Sequence, residues 1–196
     1  VRERIFLAGE TLFEEGQISN TLRVIKLGTV FAQRRGLDGH SRPIGVLRRG
    51  SAFGLFGAFD RPSQVTGVAL TRVRVCELPI EPLSELGRCS GQALMHLMNA
   101  IVDNFAALAA WSEAMRVPGM INQLACVALL LADASHSELI ELPSQDALAR
   151  LLGIRRESIA RGLNALELEG GIRRLDRRRC EVHRCALLAR LARESY

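Results

Sequence analysis

The chain has no CxxC pair, one lysine and no apolar run of membrane length, and each absence closes a class of function. Its five cysteines (Cys76, Cys89, Cys126, Cys180 and Cys185) are unevenly spaced, which argues against a disulfide-stapled secreted scaffold and against a zinc finger. No stretch approaches the ~20 apolar residues that a membrane-spanning helix needs. The first residues, Val1-Arg2-Glu3-Arg4, lead into strand-like sequence with no signal-peptide core. A cytoplasmic location and no membrane partner are expected. There is no initiator methionine, which leaves room for a native segment ahead of Val1. A Ser/His/Asp set, a P-loop, a paired-carboxylate motif and zinc-ligand spacing are all missing, so the expectation is a protein that is not an enzyme. What is present is ordinary for a folded chain: 196 residues, 48% hydrophobic and 24% charged, enough to bury a core.

Charge becomes informative once it is located. Residues 1–142 hold 14 basic and 14 acidic side chains, whereas residues 143–196 hold 12 and 7, which is the whole net charge of +5. Every basic residue except Lys26 is an arginine. A neutral body with an Arg-rich tail suits an acidic polymer as partner, although a solvated basic face has the same composition.

From Ile5 to Leu78, short β-type runs alternate with glycine-containing turns, as in Thr21–Leu27 before Gly28 and Ile44–Leu47 before Gly50. Leu37-Asp38-Gly39-His40 carries the Asp-Gly signal of a hairpin. Many short strands without a helical crossover predict an antiparallel barrel or roll. After Pro79 the period changes. Leu94, Met98, Ile101, Phe105, Leu108, Ser112 and Met115 are spaced 4-3-4-3-4-3, the a/d seam of a long helix. Leu97, Val102 and Trp111 add apolar surface beside it, so one stripe can meet a partner helix while the other packs on the strands. The seam residues Leu94, Met98, Ile101, Phe105, Leu108 and Met115 are therefore expected to form a homodimer interface. Pro118-Gly119 breaks the helix, and a second apolar helix is predicted over Met120 to Ala134.

The last third reads as a sequence of signals. Leu139–Leu142 suggests a short strand. Ser144 is a plausible N-cap for a helix that Gly153 ends, and Arg155 to Leu168 forms a second amphipathic helix with Ile159, Leu163 and Leu166 inward. Gly170-Gly171 stops it, and Ile172 through Val182 reads as a hairpin rich in arginine. Two short helices about a glycine turn, followed by a basic hairpin, make a winged helix-turn-helix. Its second helix would enter a major groove, where Arg reads guanine and Glu accepts from cytosine. Arg156, Glu157 and Arg161 are the expected base-reading residues, although an i,i+4 Glu–Arg pair on a solvated helix would look the same. Ser144 and the hairpin residues Arg173, Arg174 and Arg177 are expected at the DNA backbone.

At these residues the chain resembles the CRP/FNR superfamily of bacterial transcription regulators, over nearly its whole length. Ala8-Gly9-Glu10-Thr11-Leu12-Phe13 with Gly16 looks like the start of the family's sensor domain, and Gly50-Ser51-Ala52-Phe53-Gly54 like the turn that begins its ligand-binding segment. Val75-Cys76-Glu77-Leu78-Pro79 followed by Leu83 is similar to the fumarate-nitrate regulator branch. Leu152-Gly153-Ile154-Arg155-Arg156-Glu157-Ser158-Ile159-Ala160-Arg161 is similar to the family's recognition motif, with Arg156, Glu157 and Arg161 at the base-reading positions of the catabolite-activator branch. The resemblance implies an α+β fold: a cyclic-nucleotide-binding-type β-roll (a jelly roll) over 1–80, connecting and dimerisation helices over 81–117, and a winged helix-turn-helix over 118–196. It implies a dimeric regulator that binds an inverted-repeat operator with TGTGA-type half-sites and has RNA polymerase as a further partner. The alternative is a cyclic-nucleotide-binding regulatory module acting through protein contacts.

Departures from the family pattern bear on the effector. Cyclic-nucleotide binders of the family carry Gly-Glu-Leu followed by Arg-Ser, where this chain has Gly54-Leu55-Phe56 and Ser63-Gln64-Val65. Gly54, Leu55, Phe56, Ser63 and Gln64 mark the expected effector pocket. Without the carboxylate and arginine, a cyclic phosphate would be buried unpaired, which argues against cyclic AMP. Cys76 matches one iron–sulfur ligand of the oxygen-sensing members, but a cluster needs four ligands, and the matching N-terminal cysteines are not in this chain. Cys76 is read first as a small buried hydrophobe. Haem stays open as a cofactor, though His40, His96, His136 and His183 show no spacing that singles out an axial ligand. Arg155 stands where the family commonly has a Ser or Thr cap, and the DNA backbone is the expected compensation.

Overall fold

The computed structural model describes residues 2–80 and 91–193, with the side chains of residues 93, 94 and 97 outside that description. The connecting segment 81–90, including Leu83 and Cys89, therefore lies outside the described residues, as does the side chain of Leu94. The chain forms two compact units, 1–109 and 110–196, whose boundary falls inside the long helix.

The first unit is the antiparallel roll. Its strands are β1 (Arg2–Phe6), β2 (Thr11–Phe13), β3 (Thr21–Leu27), β4 (Val30–Arg35), β5 (Ser41–Leu47), β6 (Ala52–Phe53), β7 (Thr66–Ala69) and β8 (Val73–Pro79). They make two four-stranded sheets in the orders β1-β8-β3-β6 and β2-β7-β4-β5. Alternation drives this arrangement: in β8, Val73 and Val75 are fully buried while Arg74 between them is exposed. Phe6, Ile25, Phe53, Val73 and Val75 from one sheet meet Leu12, Val30, Ala32, Leu47 and Ala69 from the other in a single core. The rings of Phe13 and Phe53 stack across the sheets at 4.5 Å. The β4–β5 hairpin turns at Asp38-Gly39, where both Asp38 oxygens take Arg42 (2.8 and 2.5 Å) and one accepts from the His40 amide at 3.1 Å.

Helix α1 (Gly91–Ala114) leaves this roll. Asn104 Nδ2 donates to the Ala52 carbonyl at 2.6 Å. One turn on, Leu108 sits over Gly45 of β5, where an added Cβ would lie 2.6 Å from Leu108 Cδ2. Leu108 is thus turned toward the roll and is not on the open face that the a/d spacing assigns to it. Met98, Ile101 and Phe105 are exposed as expected, and Met95 and Val102 join them. Met115 follows the helix and is half-buried.

The second unit contains α2 (Met120–Ser135), β9 (Leu139–Glu141), α3 (Gln145–Leu152), α4 (Arg156–Leu168), the hairpin β10 (Ile172–Arg174) and β11 (Arg179–Val182), and α5 (Arg184–Arg193). The strands form an antiparallel sheet ordered β10-β11-β9. Helix α4 packs on both α2 and α3, and α5 packs on α2. Leu124, Leu148, Ile159, Leu166 and Leu187 are all at most 3% exposed and supply the core. Among the described residues, no helix is long and apolar enough to cross a membrane.

Candidate nucleic-acid interface

The helix-turn-helix is built by its caps. Ser144 Oγ accepts from the Ala147 amide at 3.2 Å and so starts α3. Gly153 ends that helix in the left-handed conformation, φ 67°, which a side chain would disfavour. Arg155 then begins α4 with extended backbone and no side-chain cap, as its residue type predicts. That start is weakened by about 1 kcal/mol relative to Ser or Thr, and a cation there opposes the helix dipole. Glu157 in the first turn offsets part of this by placing a carboxylate at the positive end.

Helix α4 buries Ile159, Gly162, Leu163 and Leu166 and exposes Arg156, Glu157 and Arg161. All three predicted readers therefore share the open side of one helix, near its N-terminus. Arg156 Nε lies 3.7 Å from Asp146 in the first turn of α3, and both side chains are more than half exposed, so this pair is weakly held. Gly162 escapes any sequence motif but matters to the geometry. A Cβ there would lie 2.5 Å from Leu124 Cδ1 and 2.8 Å from Met120 Sδ, so its absence lets α4 lie close on α2. A glycine in mid-helix, about 1 kcal/mol worse than alanine there, is the signal that could have found it.

The hairpin arginines divide into two kinds. Arg177 is exposed and has no ion pair among the described residues. Arg173 reaches across the hairpin to Glu181, with Nε at 2.8 Å and Nη2 at 2.5 Å. Arg174 is half-buried and turns back onto Glu167 and Asn164 of α4. Arg179 and the backbone of Arg178 and Arg179 close on Asp176 at the tip. In α5, Arg184 pairs with Asp133 and Arg190 with Glu169, so part of the tail's positive charge is spent inside the unit. Cys180 is fully buried in β11, and burial pushes its thiol up to about 11.

In the roll, Gly54, Phe56 and Ser63 line a cavity of about 380 Å³ together with Leu12 and Phe13, whereas Leu55 and Gln64 are not among its lining residues. Two arginines, Arg4 and Arg23, also line it. Arg23 donates to Glu77 at 2.7 Å and to the Leu12 carbonyl at 3.2 Å, while Arg4 lies 4.0 Å from the same Glu77 and over the Phe6 ring. Both cations thus face a carboxylate of the chain itself. Cys76 is 8% exposed in β8, opposite Val24 and Glu3, in the manner of a small core residue. Among the described residues, no group of three His, Cys, Asp or Glu side chains is placed to hold a metal ion.

Comparison with known proteins agrees with this geometry unit by unit. Residues 3–88 match the model of the cyclic nucleotide-binding domain, and residues 124–191 match that of the Crp-like helix-turn-helix domain. The chain is 26% identical over 200 residues to the cyclic AMP receptor protein of Thermus thermophilus, covering 97% of this chain and 88% of that protein. A CRP-family transcriptional regulator of Thermus thermophilus superposes with a TM-score of 0.76 at 20% identity, covering 96% of each chain. FixK2 of Bradyrhizobium japonicum gives 0.76 at 17% identity, again over 96% of each.

Proposed function

The chain belongs to the CRP/FNR superfamily of transcription regulators, with a cyclic nucleotide-binding domain ahead of a Crp-like helix-turn-helix, and on that footing we propose how it reads DNA. Two copies joined along the exposed stripe of α1 present two α4 helices to an inverted repeat, with half-sites about 34 Å apart. Arg156, Glu157 and Arg161 read base edges of a TGTGA-type half-site. Ser144, Arg155 and Arg177 lie against phosphates, and Arg173 reaches the backbone only when it leaves Glu181. The observation that carries this reading is the shared exposure of Arg156, Glu157 and Arg161 at the N-terminal end of α4, opposite its buried face. The dimer reading is supported by five large apolar side chains, Met95, Met98, Ile101, Val102 and Phe105, each at least 40% exposed along one helix. The test is selection of duplexes from a random pool by the full chain. A two-fold symmetric consensus is expected, and a pool that stays random overturns the reading.

The effector is proposed to be something other than cyclic AMP. Arg23 is held by Glu77 at 2.7 Å, and the more exposed Arg4 lies 4.0 Å from the same carboxylate. Residues 63–65 hold no arginine, so the family's phosphate-binding cation is missing from its place at the cavity. The residues present do not fit that ligand. Titration with cyclic AMP, followed by calorimetry, is expected to give no heat of binding. Action in the cytoplasm, contact with RNA polymerase and the lack of an enzymatic role complete the proposal, as the family implies.

A further inference from the structure

Arg174 is placed in the hairpin by sequence, yet its side chain belongs to the recognition helix. Nε donates to Glu167 Oε2 at 2.8 Å, Nη2 donates to the same oxygen at 2.5 Å, and Nη2 also donates to Asn164 Oδ1 at 2.6 Å. The carboxylate reaches back: Glu167 Oε1 accepts from the Arg174 backbone amide at 2.9 Å. Both Glu167 oxygens and one full edge of the guanidinium are used. Both side chains are about one-third exposed, so the pair is screened less than the surface pairs at the hairpin tip. These bonds hold the Glu167 carboxyl below its usual range.

The geometry has a direction. Asn164 lies three residues beyond Arg161 on the same face of α4, and Glu167 lies one turn further. Arg174 sits in β10 beside Cys180 of β11, the last strand pair before the turn of the hairpin, whose open end is Ile172–Val182. One planar fork therefore spans from the C-terminal part of α4 to the turn-proximal end of the wing strands. A rigid fork with several fixed donors constrains angle as well as distance, which a lysine ammonium cannot do.

We propose that Arg174 is a positioning residue that sets the angle between the wing and α4 through Glu167 and Asn164, and that it is not a phosphate contact. This rests on the reading of α4 as the DNA-recognition helix. Sequence specificity then depends on Arg174 although it touches no base, because a tilt of α4 moves Arg161 relative to the groove.

The experiment compares the full-length wild type with Arg174→Lys, Arg174→Ala, Glu167→Gln and the Arg174→Ala/Glu167→Gln double variant. Each is titrated with the selected operator and with a scrambled duplex at several salt concentrations, with thermal melting to check folding. Arg174→Lys keeps the charge and removes the fork, so it separates the two roles even if the alanine variant folds poorly. The expected result is that Arg174→Lys and Glu167→Gln each lower operator affinity by about tenfold, as one base contact of Arg161 falls out of register. Affinity for the scrambled duplex and the salt slope should stay as in the wild type. The double variant should be no weaker than the singles, as for partners in one network. Arg174→Lys that binds like the wild type, with Arg174→Ala losing about one unit of salt slope on both duplexes, would make Arg174 a phosphate contact and overturn the proposal. A wild type that does not distinguish the duplexes would overturn the reading of α4 itself, and the proposal with it.

Discussion

Arg161 Nη2 reaches toward Ser158 Oγ, 3.5 Å away, and not toward Glu157, which stands four residues earlier on the same exposed face of α4. Two opposite charges at i,i+4 would ordinarily gain a few tenths of a kcal/mol from pairing. Here neither has an ion-pair partner among the described residues, so both remain available to groups outside the chain.

Glu157→Ala and Arg161→Ala are each expected to cost about 1–3 kcal/mol on the preferred operator and little on scrambled DNA. Arg177→Ala should instead weaken both duplexes alike and lower the salt slope by about one. Fluorescence anisotropy at two salt concentrations measures both quantities. Equal losses on both duplexes for Glu157→Ala would remove it from the reading face.

Assembly is tested at Ile101 and Phe105, which are 40% and 74% exposed. The 21.6 kDa chain should sediment as a dimer of about 43 kDa, because closed two-fold pairs are the commonest oligomers. Ile101→Glu with Phe105→Glu should sediment as a monomer and lose operator binding. A double variant that still sediments as a dimer would place the interface elsewhere.

Asp176 gives a pH-dependent signature. Amide bonds from Arg179 and then Arg178, with the Arg179 side chain, pull its carboxyl down to about 2. The unfolded value is near 3.9. Its contribution to hairpin order is thus fully present above about pH 4 and is lost as pH falls through about 2. Hydrogen exchange at the Arg178 and Arg179 amides should show the wild type more protected than Asp176→Asn at pH 5. The two should converge near pH 2. Equal protection at pH 5 would show that the turn holds without the carboxylate.

Gly162 should resist enlargement. Leucine at this position must displace Leu124 and Met120, and overpacking of this kind costs about 1–3 kcal/mol. Thermal unfolding should show a lower Tm for Gly162→Leu. Alanine should be milder, because the flexible ends of Leu124 and Met120 can shift while helix propensity improves by about 1 kcal/mol. A Gly162→Leu variant as stable as wild type would show that α4 does not lie tightly on α2.

The elements were legible where their signals are local. Ser144 and Gly153 carry their own capping chemistry, Asp38-Gly39 its own turn, and the inward Ile159, Leu163 and Leu166 follow from spacing alone. Leu108 was misplaced for a physical reason. It lies about 40° around the helix from Asn104, four residues earlier, whose side-chain amide donates to the Ala52 carbonyl. Leu108 thus falls on the edge of the stripe that faces the roll, which the 4-3 spacing does not register. Arg174 was illegible because its meaning depends on Glu167, which lies in a helix while Arg174 lies in the strand beyond the Gly170-Gly171 turn. Gly162 depends on Leu124, 38 residues earlier, which no local pattern contains.

The seat of Leu108 on Gly45 means that the roll and the helix communicate there through volume and not through charge. The two positions share one allotment of space, so a methyl group added at Gly45 requires the end of Leu108 to turn aside or to be trimmed. In a diverging lineage they would behave as a single locus. The grip of the roll on its helix could be retuned by trading methyl groups across this pair, with Arg156, Glu157 and Arg161 left unchanged.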